Sequence, residues 1–375
     1  MTGMRNAKIA EISGAGPAGL AAALAVIRSG GSARVYERRS DVGARFHGDF
    51  QGLENWTTDV DALDELESLG IAPNFDHSAF NKVLCFGPRG VQREVCSRKP
   101  LFYMVRRGSE PGTLDYGLKQ QLLDAGGEIR VGQTLRRLPQ GGIVTEGPRR
   151  ADAIAVGYLF ETDMEDSAFA VVSEELAPRG YGYLLVCKGR ATLATCLFTD
   201  FHNQRRYLQR CVDFFVDKTG VRVEKARPFG GTGNFSIPKS PRKGNIVYAG
   251  EAAGFQDPLF GFGIRWALLS GAAAGRSLAA RCARQYEVFW KRRLRNFHKT
   301  GACNRWIYDR LGDRGYYRLL RHYPDKLDIR TRLRHAYATR LWKRIWYDLV
   351  VSHQQKPLLK LQNENCDCTW CRCRR

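Results

Sequence analysis

Two glycine-bearing segments about 235 residues apart constrain this chain more than anything else in it. The first is Ile12-Ser-Gly-Ala-Gly-Pro-Ala-Gly19; the second is Tyr248-Ala-Gly-Glu-Ala-Ala-Gly-Phe-Gln-Asp-Pro-Leu-Phe-Gly-Phe-Gly-Ile264. A β-rich run, Lys8 to Ser13, leads into Gly14-Ala15-Gly16-Pro17-Ala18-Gly19, and a small-residue helix is expected from Leu20 to Ile27. In that arrangement Gly14 makes the tight turn, Gly16 lets the backbone approach a pyrophosphate, and Gly19 allows close helix–strand packing. Amides at the helix start then hold the phosphate charge. A second expected strand, Ala33 to Glu37, ends on an acid 18 residues past Gly19, where a ribose hydroxyl needs a carboxylate. Glu37 would repel a 2′-phosphate, which argues against NADP here. Arg38 is a candidate for the adenine and phosphate edge, with a solvated Arg38–Arg39 pair as the alternative.

The downstream segment repeats the logic with different parts. Asn245 to Ala249 reads as a buried strand ending in Gly250-Glu251, and an acid at a strand end can bind ribityl hydroxyls. After Pro258, the run Gly261-Phe262-Gly263-Ile264 bares the start of a helix expected from Arg265 to Ala274. Its amides and dipole suit negative charge on a reduced flavin. Together the two segments read as the two ends of one FAD site.

At these residues the chain resembles the geranylgeranyl reductase branch of FAD-dependent oxidoreductases, within the larger group built like aromatic hydroxylases. The match runs through Gly250, Ala252, Ala253, Gly254, Pro258, Gly261, Gly263, Ile264, Ser270 and Gly271; Glu251 stands where that branch usually has Asp. Val105-Arg-Arg107 followed by Leu114-Asp115 resembles its Arg-then-Phe-Asp-helix element, which implies a cofactor contact for Arg107, with Arg106 as rival. Pro178 to Tyr183 resembles its Gly-Tyr-Xaa-Trp pocket motif with Tyr183 in place of Trp. Gly43 to Asp49 falls where the group places residues over the flavin. Arg45 is therefore a candidate pyrophosphate or flavin contact. His47 is the candidate catalytic residue, with Asp49 beside it, because reducing a double bond requires a proton as well as a hydride; a lone loop histidine is more often simply hydrogen-bonded.

The resemblance implies a reductase in which FAD takes electrons from a reduced nicotinamide nucleotide or ferredoxin and passes hydride to an alkene of a hydrophobic, isoprenoid-like substrate. An oxygen-using hydroxylase on the same scaffold is the alternative; the Trp-Xaa-Trp-Xaa-Ile-Pro signature of a halogenase is absent. A third reading is a non-catalytic flavoprotein that senses metal or nucleic acid.

At 375 residues and 43% hydrophobic composition the chain can fill more than one lobe. The expected fold class is α/β: a Rossmann-like FAD-binding domain, an inserted antiparallel β-sheet substrate domain, and a C-terminal helical appendage. The FAD-binding domain is expected over 1–76, 101–152 and 240–280, and the substrate domain over 77–100 and 153–239. A basic helical region then covers 281–361 and a Cys-rich tail 362–375. No signal peptide or spanning segment is visible, so a cytoplasmic protein is expected.

The net charge of +21 sits mostly in the last hundred residues, which hold 25 Lys/Arg against 8 Asp/Glu. Such a tail suits an anionic membrane surface, an acidic substrate or nucleic acid. Nucleic acid is the least expected partner, since no binding module is recognised. The Trp- and Arg-rich helices most simply read as core with a solvated face; peripheral docking on an anionic membrane that delivers a prenyl lipid is the functional alternative. Seven of the eleven cysteines are scattered from Cys85 to Cys303, as small buried hydrophobes would be. Cys366, Cys368, Cys371 and Cys373 form a candidate zinc site, although their CxC spacing is tighter than that of structural zinc knuckles.

Overall fold

The structure, a computed structural model, describes residues 9–147, 151–324 and 327–354. The N-terminal strand Ala10–Ser13 pairs in parallel with Ala33–Glu37 on one side and Gly142–Val144 on the other. Glu128–Val131 and Ile246–Tyr248 extend this sheet in parallel, and Arg242–Lys243 adds an antiparallel edge. Ser13 is level with Tyr36 and Val144, so the loops leaving these strands emerge at one end of the sheet. Open parallel sheets bind ligands at that end.

The convergence of the two glycine segments has a packing cause. The first loop feeds the helix Pro17–Arg28, and the second feeds the helix Ile264–Ala279. A Cβ on Gly271 would lie 2.1 Å from Ala18 O, and one on Gly275 2.2 Å from Ala22 O. Only glycine lets the two backbones come so close. With Ala21, Ala22 and Ala23 buried on the first helix, the crossing locks both helix starts to the same end of the sheet.

A second sheet has seven strands in the order Arg227–Gly233, Ala153–Glu161, Arg190–Leu197, Tyr181–Cys187, Ser167–Val171, Lys82–Phe86, Gln92–Cys96. Its pairs are antiparallel except Ser167–Val171 with Lys82–Phe86. The helix Gln204–Thr219 covers one face, burying Cys211 and Phe215 against Leu184 and Leu193. That helix went unread in the sequence, because its polar surface residues mask a narrow apolar stripe. A small antiparallel sheet, His77–Phe80, Phe102–Arg106 and Phe50–Glu54, bridges the lobes.

The C-terminal helices dock on the rest of the chain through buried polar ties. Arg305 donates to Leu259 O at 2.9 Å and to Arg179 O, and Tyr308 OH donates to Gly180 O at 2.8 Å. Arg330 donates to the carbonyls of Asn55 and Thr58. A buried guanidinium must find such carbonyls or lose its hydration uncompensated. Among the described residues, no helix is long and apolar enough to cross a membrane.

Candidate functional site

A cavity of about 1970 Å³ lies between the strand ends of the parallel sheet, one face of the seven-stranded sheet and the C-terminal helices. It exceeds the roughly 300–1,000 Å³ of an ordinary small-ligand pocket, so it has room for a dinucleotide and a second molecule.

At one end, Gly14, Ala15, Gly16, Pro17 and Ala18 form the wall, with Glu37 and Arg38 beside them. The Glu37 carboxylate accepts from Ala15 N at 3.1 Å and Arg39 N at 2.9 Å, which fixes it against the loop. A Cβ on Gly16 would meet nothing within 4 Å, so the backbone there faces open space. By contrast, a Cβ on Gly19 would lie 1.9 Å from Gly14 O. Gly19 is not in the wall; it closes the turn from behind. The helix that follows has no side-chain cap and no acid in its first turn, which leaves its amides to an anion.

Thr145 and Glu146, at the end of Gly142–Val144, complete this end. Thr145 Oγ1 donates to Ser13 O and Gly14 O at 2.9 and 2.7 Å, and Ser13 Oγ donates to Glu146 Oε1 at 2.5 Å. These contacts hold the glycine loop in its turn. The strand-end run Ile143-Val-Thr-Glu-Gly147 is the sequence signal that could have found them.

The middle is framed by the second motif. Glu251, Gly261, Phe262, Gly263 and Ile264 line the cavity, and the helix starting at Ile264 also lacks a side-chain cap. Gly250 and Pro258 stand behind the wall: Gly250 N donates to Ser270 Oγ at 2.9 Å, and Pro258 packs where Gly301 leaves room. Arg45 reaches within 3.8 Å of Glu251, which brings the two halves of the site together.

The floor is a chain of polar contacts. Arg107 makes two 2.8 Å bonds to Asp115, donates to Gln51 Oε1 at 3.0 Å, and lies 4.0 Å from the centre of the Phe46 ring. Gln51 Nε2 donates to Asp49 Oδ2 at 2.9 Å, and His47 N donates to Asp49 Oδ1 at 3.2 Å. Arg107 is thus buried and largely consumed by Asp115. Arg106 takes the other side of its strand, where it pairs with Asp76 at 2.8 Å. Asp49 is 2% exposed and lines the cavity, and burial raises its carboxyl above the usual carboxylate range despite Gln51 and Arg107. His47 also lines the cavity but is exposed.

The far end is apolar and aromatic. Tyr181 and Tyr183 project from the seven-stranded sheet, and Tyr181 OH donates to Phe260 O at 2.5 Å. Burial raises both phenols well above their usual range, so they stay protonated. Phe260 meets Tyr308 edge-on at 6.1 Å, and Tyr308 lies 4.9 Å from Tyr316. Tyr308, Tyr316, Leu320 and Leu333 come from the C-terminal helices, so the region expected as an appendage supplies part of the wall. Periodicity marks those aromatics as core but cannot say which cavity they close.

Asp257 ties this region to the second motif. It accepts from Leu259 N and Phe260 N, and from Tyr337 OH at 2.6 Å. Burial raises its pKa to about 6. The unfolded value is about 3.9, so the folded chain binds this proton more tightly, and the group costs stability as pH rises from about 4 to about 6. Asp257→Asn should therefore gain stability relative to the parent across that window, by up to about 3 kcal/mol. Urea unfolding of both chains at either end of the window checks this; a difference that does not change with pH contradicts it.

The candidate zinc ligands Cys366, Cys368, Cys371 and Cys373 lie outside the described residues. Among the described residues, no three His, Cys, Asp or Glu side chains are grouped to hold a metal.

No family model and no curated protein matches the chain. Solved structures do. A geranylgeranyl bacteriochlorophyll reductase-like protein from Thermoplasma acidophilum is 16% identical with a TM-score of 0.68, covering 92% of this chain and 96% of that one. The flavin-dependent brominase Bmp2 is 14% identical with a TM-score of 0.63, covering 92% and 99%. The peptidyl tryptophan dihydroxylase QhpG is 16% identical with a TM-score of 0.60, covering 85% and 80%. The fold is that of Rossmann-like flavoproteins, as the paired motifs imply.

Proposed function

We propose that the chain is an FAD-dependent oxidoreductase that reduces a carbon–carbon double bond of a hydrophobic, isoprenoid-like substrate. The observation that carries this is one cavity with a phosphate-ready polar end and an aromatic far end, joined across Arg45 and Glu251. The residues fit the cofactor: Gly16 leaves open space for a pyrophosphate, Glu37 would accept from a ribose hydroxyl, and two uncapped helix starts face the cavity. Reduced FAD would supply the hydride, after electrons arrive from a reduced nicotinamide nucleotide or ferredoxin.

The chain's own part is binding and the proton. Tyr181, Tyr183 and Phe198 present an apolar wall to an alkene, and Tyr308, Tyr316 and Leu320 from the C-terminal helices extend it. Asp49 is the better proton source of the two candidates. It is buried at the wall with a raised carboxyl, whereas His47 is exposed.

A hydroxylase is the second reading, favoured by structural similarity to a tryptophan dihydroxylase of the same fold. Anaerobic photoreduction followed by mixing separates them. Reoxidation of the flavin absorbance by polyprenyl lipid, with slow reoxidation by oxygen, supports the reductase. Reoxidation by oxygen alone, with a hydroxylated product, supports the hydroxylase.

Glu251 offers a further test of the cofactor's middle. Glu251→Ala should weaken FAD binding about tenfold or more through loss of a charged hydrogen bond, while Glu251→Asp restores most of it. Equal FAD dissociation constants for the parent and the alanine variant contradict the placement.

A further inference from the structure

The last described helix is amphipathic in the reverse sense for a helix facing water. It runs through Leu341–Trp346, a π-helical turn at Tyr347–Val351, and Ser352–Gln354. Its inner face carries a lysine: Lys343 is buried, and its Nζ donates to Asn304 Oδ1 at 2.8 Å and to Ala336 O. Tyr347 and Val351 pack beside it on Ala302 and Cys303. The outer face holds the large apolar side chains. Leu341 is 66% exposed, Trp342 51%, Ile345 49%, Trp346 39% and Leu349 70%.

The apolar surface continues onto the neighbouring helix. Trp346 meets Trp306 edge-on at 5.5 Å, and Ile307 is exposed beside it. Arg310 stacks over Trp306 at 3.7 Å, and Arg340 and Arg344 are exposed on the helix itself. A contiguous apolar surface rimmed by positive charge is an interaction site rather than a solvent face.

We propose that this face docks on an anionic lipid surface. Indoles suit the headgroup boundary, where an apolar ring and a polar N–H are both satisfied, and arginines beside them attract acidic headgroups. Charge argues against the other occupants. A second copy would bring the same arginines, within a region of 25 Lys/Arg against 8 Asp/Glu, into contact with themselves. The chain's own residues 355–375 carry five Lys/Arg against two Asp/Glu, so they also have the sign of the rim. The helix is tied through Lys343 to Ala336, a residue of the cavity wall.

Sedimentation of the full chain with vesicles tests it, using phosphatidylcholine alone and phosphatidylcholine mixed with phosphatidylserine. The parent should sediment with the mixed vesicles and weakly with the neutral ones, and salt should release it. The triple variant Trp342→Gln/Ile345→Gln/Leu349→Gln should lose about tenfold or more in partitioning. Arg340→Gln/Arg344→Gln should lose the preference for phosphatidylserine. All these side chains are exposed, so melting temperature should stay near the parent's in each variant, and flavin content checks the fold. A parent that does not sediment overturns the proposal, as does a triple variant that sediments equally. A parent that is dimeric by sedimentation velocity, and monomeric after the triple substitution, assigns the face to a second copy and also overturns it.

Discussion

Gly16→Val should fold and yet lose its FAD. A Cβ at position 16 meets no protein atom within 4 Å, so the branched side chain enters open cavity and displaces nothing of the chain. It would occupy the space where the pyrophosphate must approach the loop backbone, and it would shield the uncapped amides of the helix Pro17–Arg28. The melting temperature of the flavin-free protein should be close to that of the flavin-free parent, while FAD binding becomes undetectable. Gly19→Val is the contrasting case. A Cβ there would lie 1.9 Å from Gly14 O, so that variant should lose the loop itself and with it much stability. Full FAD occupancy in Gly16→Val would show that the cofactor's phosphates lie elsewhere.

Asp49→Asn should slow the alkene half-reaction by about a hundredfold or more, the usual scale for removing a general acid. Asparagine keeps the size of the side chain and an oxygen to accept from His47 N, but it has no acidic proton to give. The sign of the pH dependence follows from the same chemistry. Burial raises the Asp49 carboxyl, and only its protonated form can act, so the parent's rate should fall as pH rises through that value. The variant should lose that limb of the profile. Asp49→Glu should recover part of the rate. Stopped-flow reoxidation of prereduced protein, with FAD content measured in parallel, checks all three. An unchanged rate in Asp49→Asn would return the role to His47 or to solvent.

Most of the first glycine loop's geometry was legible because its constraints are local. Tight turn, backbone approach and helix packing each demand glycine at a fixed spacing, and Glu37 follows at the end of the next strand. The Glu251 loop was legible for the same reason. What joins them was not: the crossing at Gly271 and Gly275 depends on Ala18 and Ala22, some 250 residues away. Arg106 and Arg107 are equivalent in sequence, and only strand direction sends Arg107 to the cavity floor and Arg106 to Asp76. The C-terminal region was the least legible. Tyr308, Tyr316 and Tyr337 read as core aromatics, but nothing local to them names Gly180 or Asp257 as partners. The helix from Leu341 was expected to bury its aromatics and solvate its basic residues, but Trp342 and Trp346 are exposed, because Lys343 turns inward to reach Asn304 and Ala336.

In the reading proposed above, the two glycine segments are the ends of one FAD site. The most direct measurement is the identity and stoichiometry of flavin released by acid from the purified protein, read by mass spectrometry and absorbance. Intact FAD, non-covalently held and in equal number to the chains, is the expected result. Flavin mononucleotide in its place, or reconstituted protein that takes up no FAD, would contradict it.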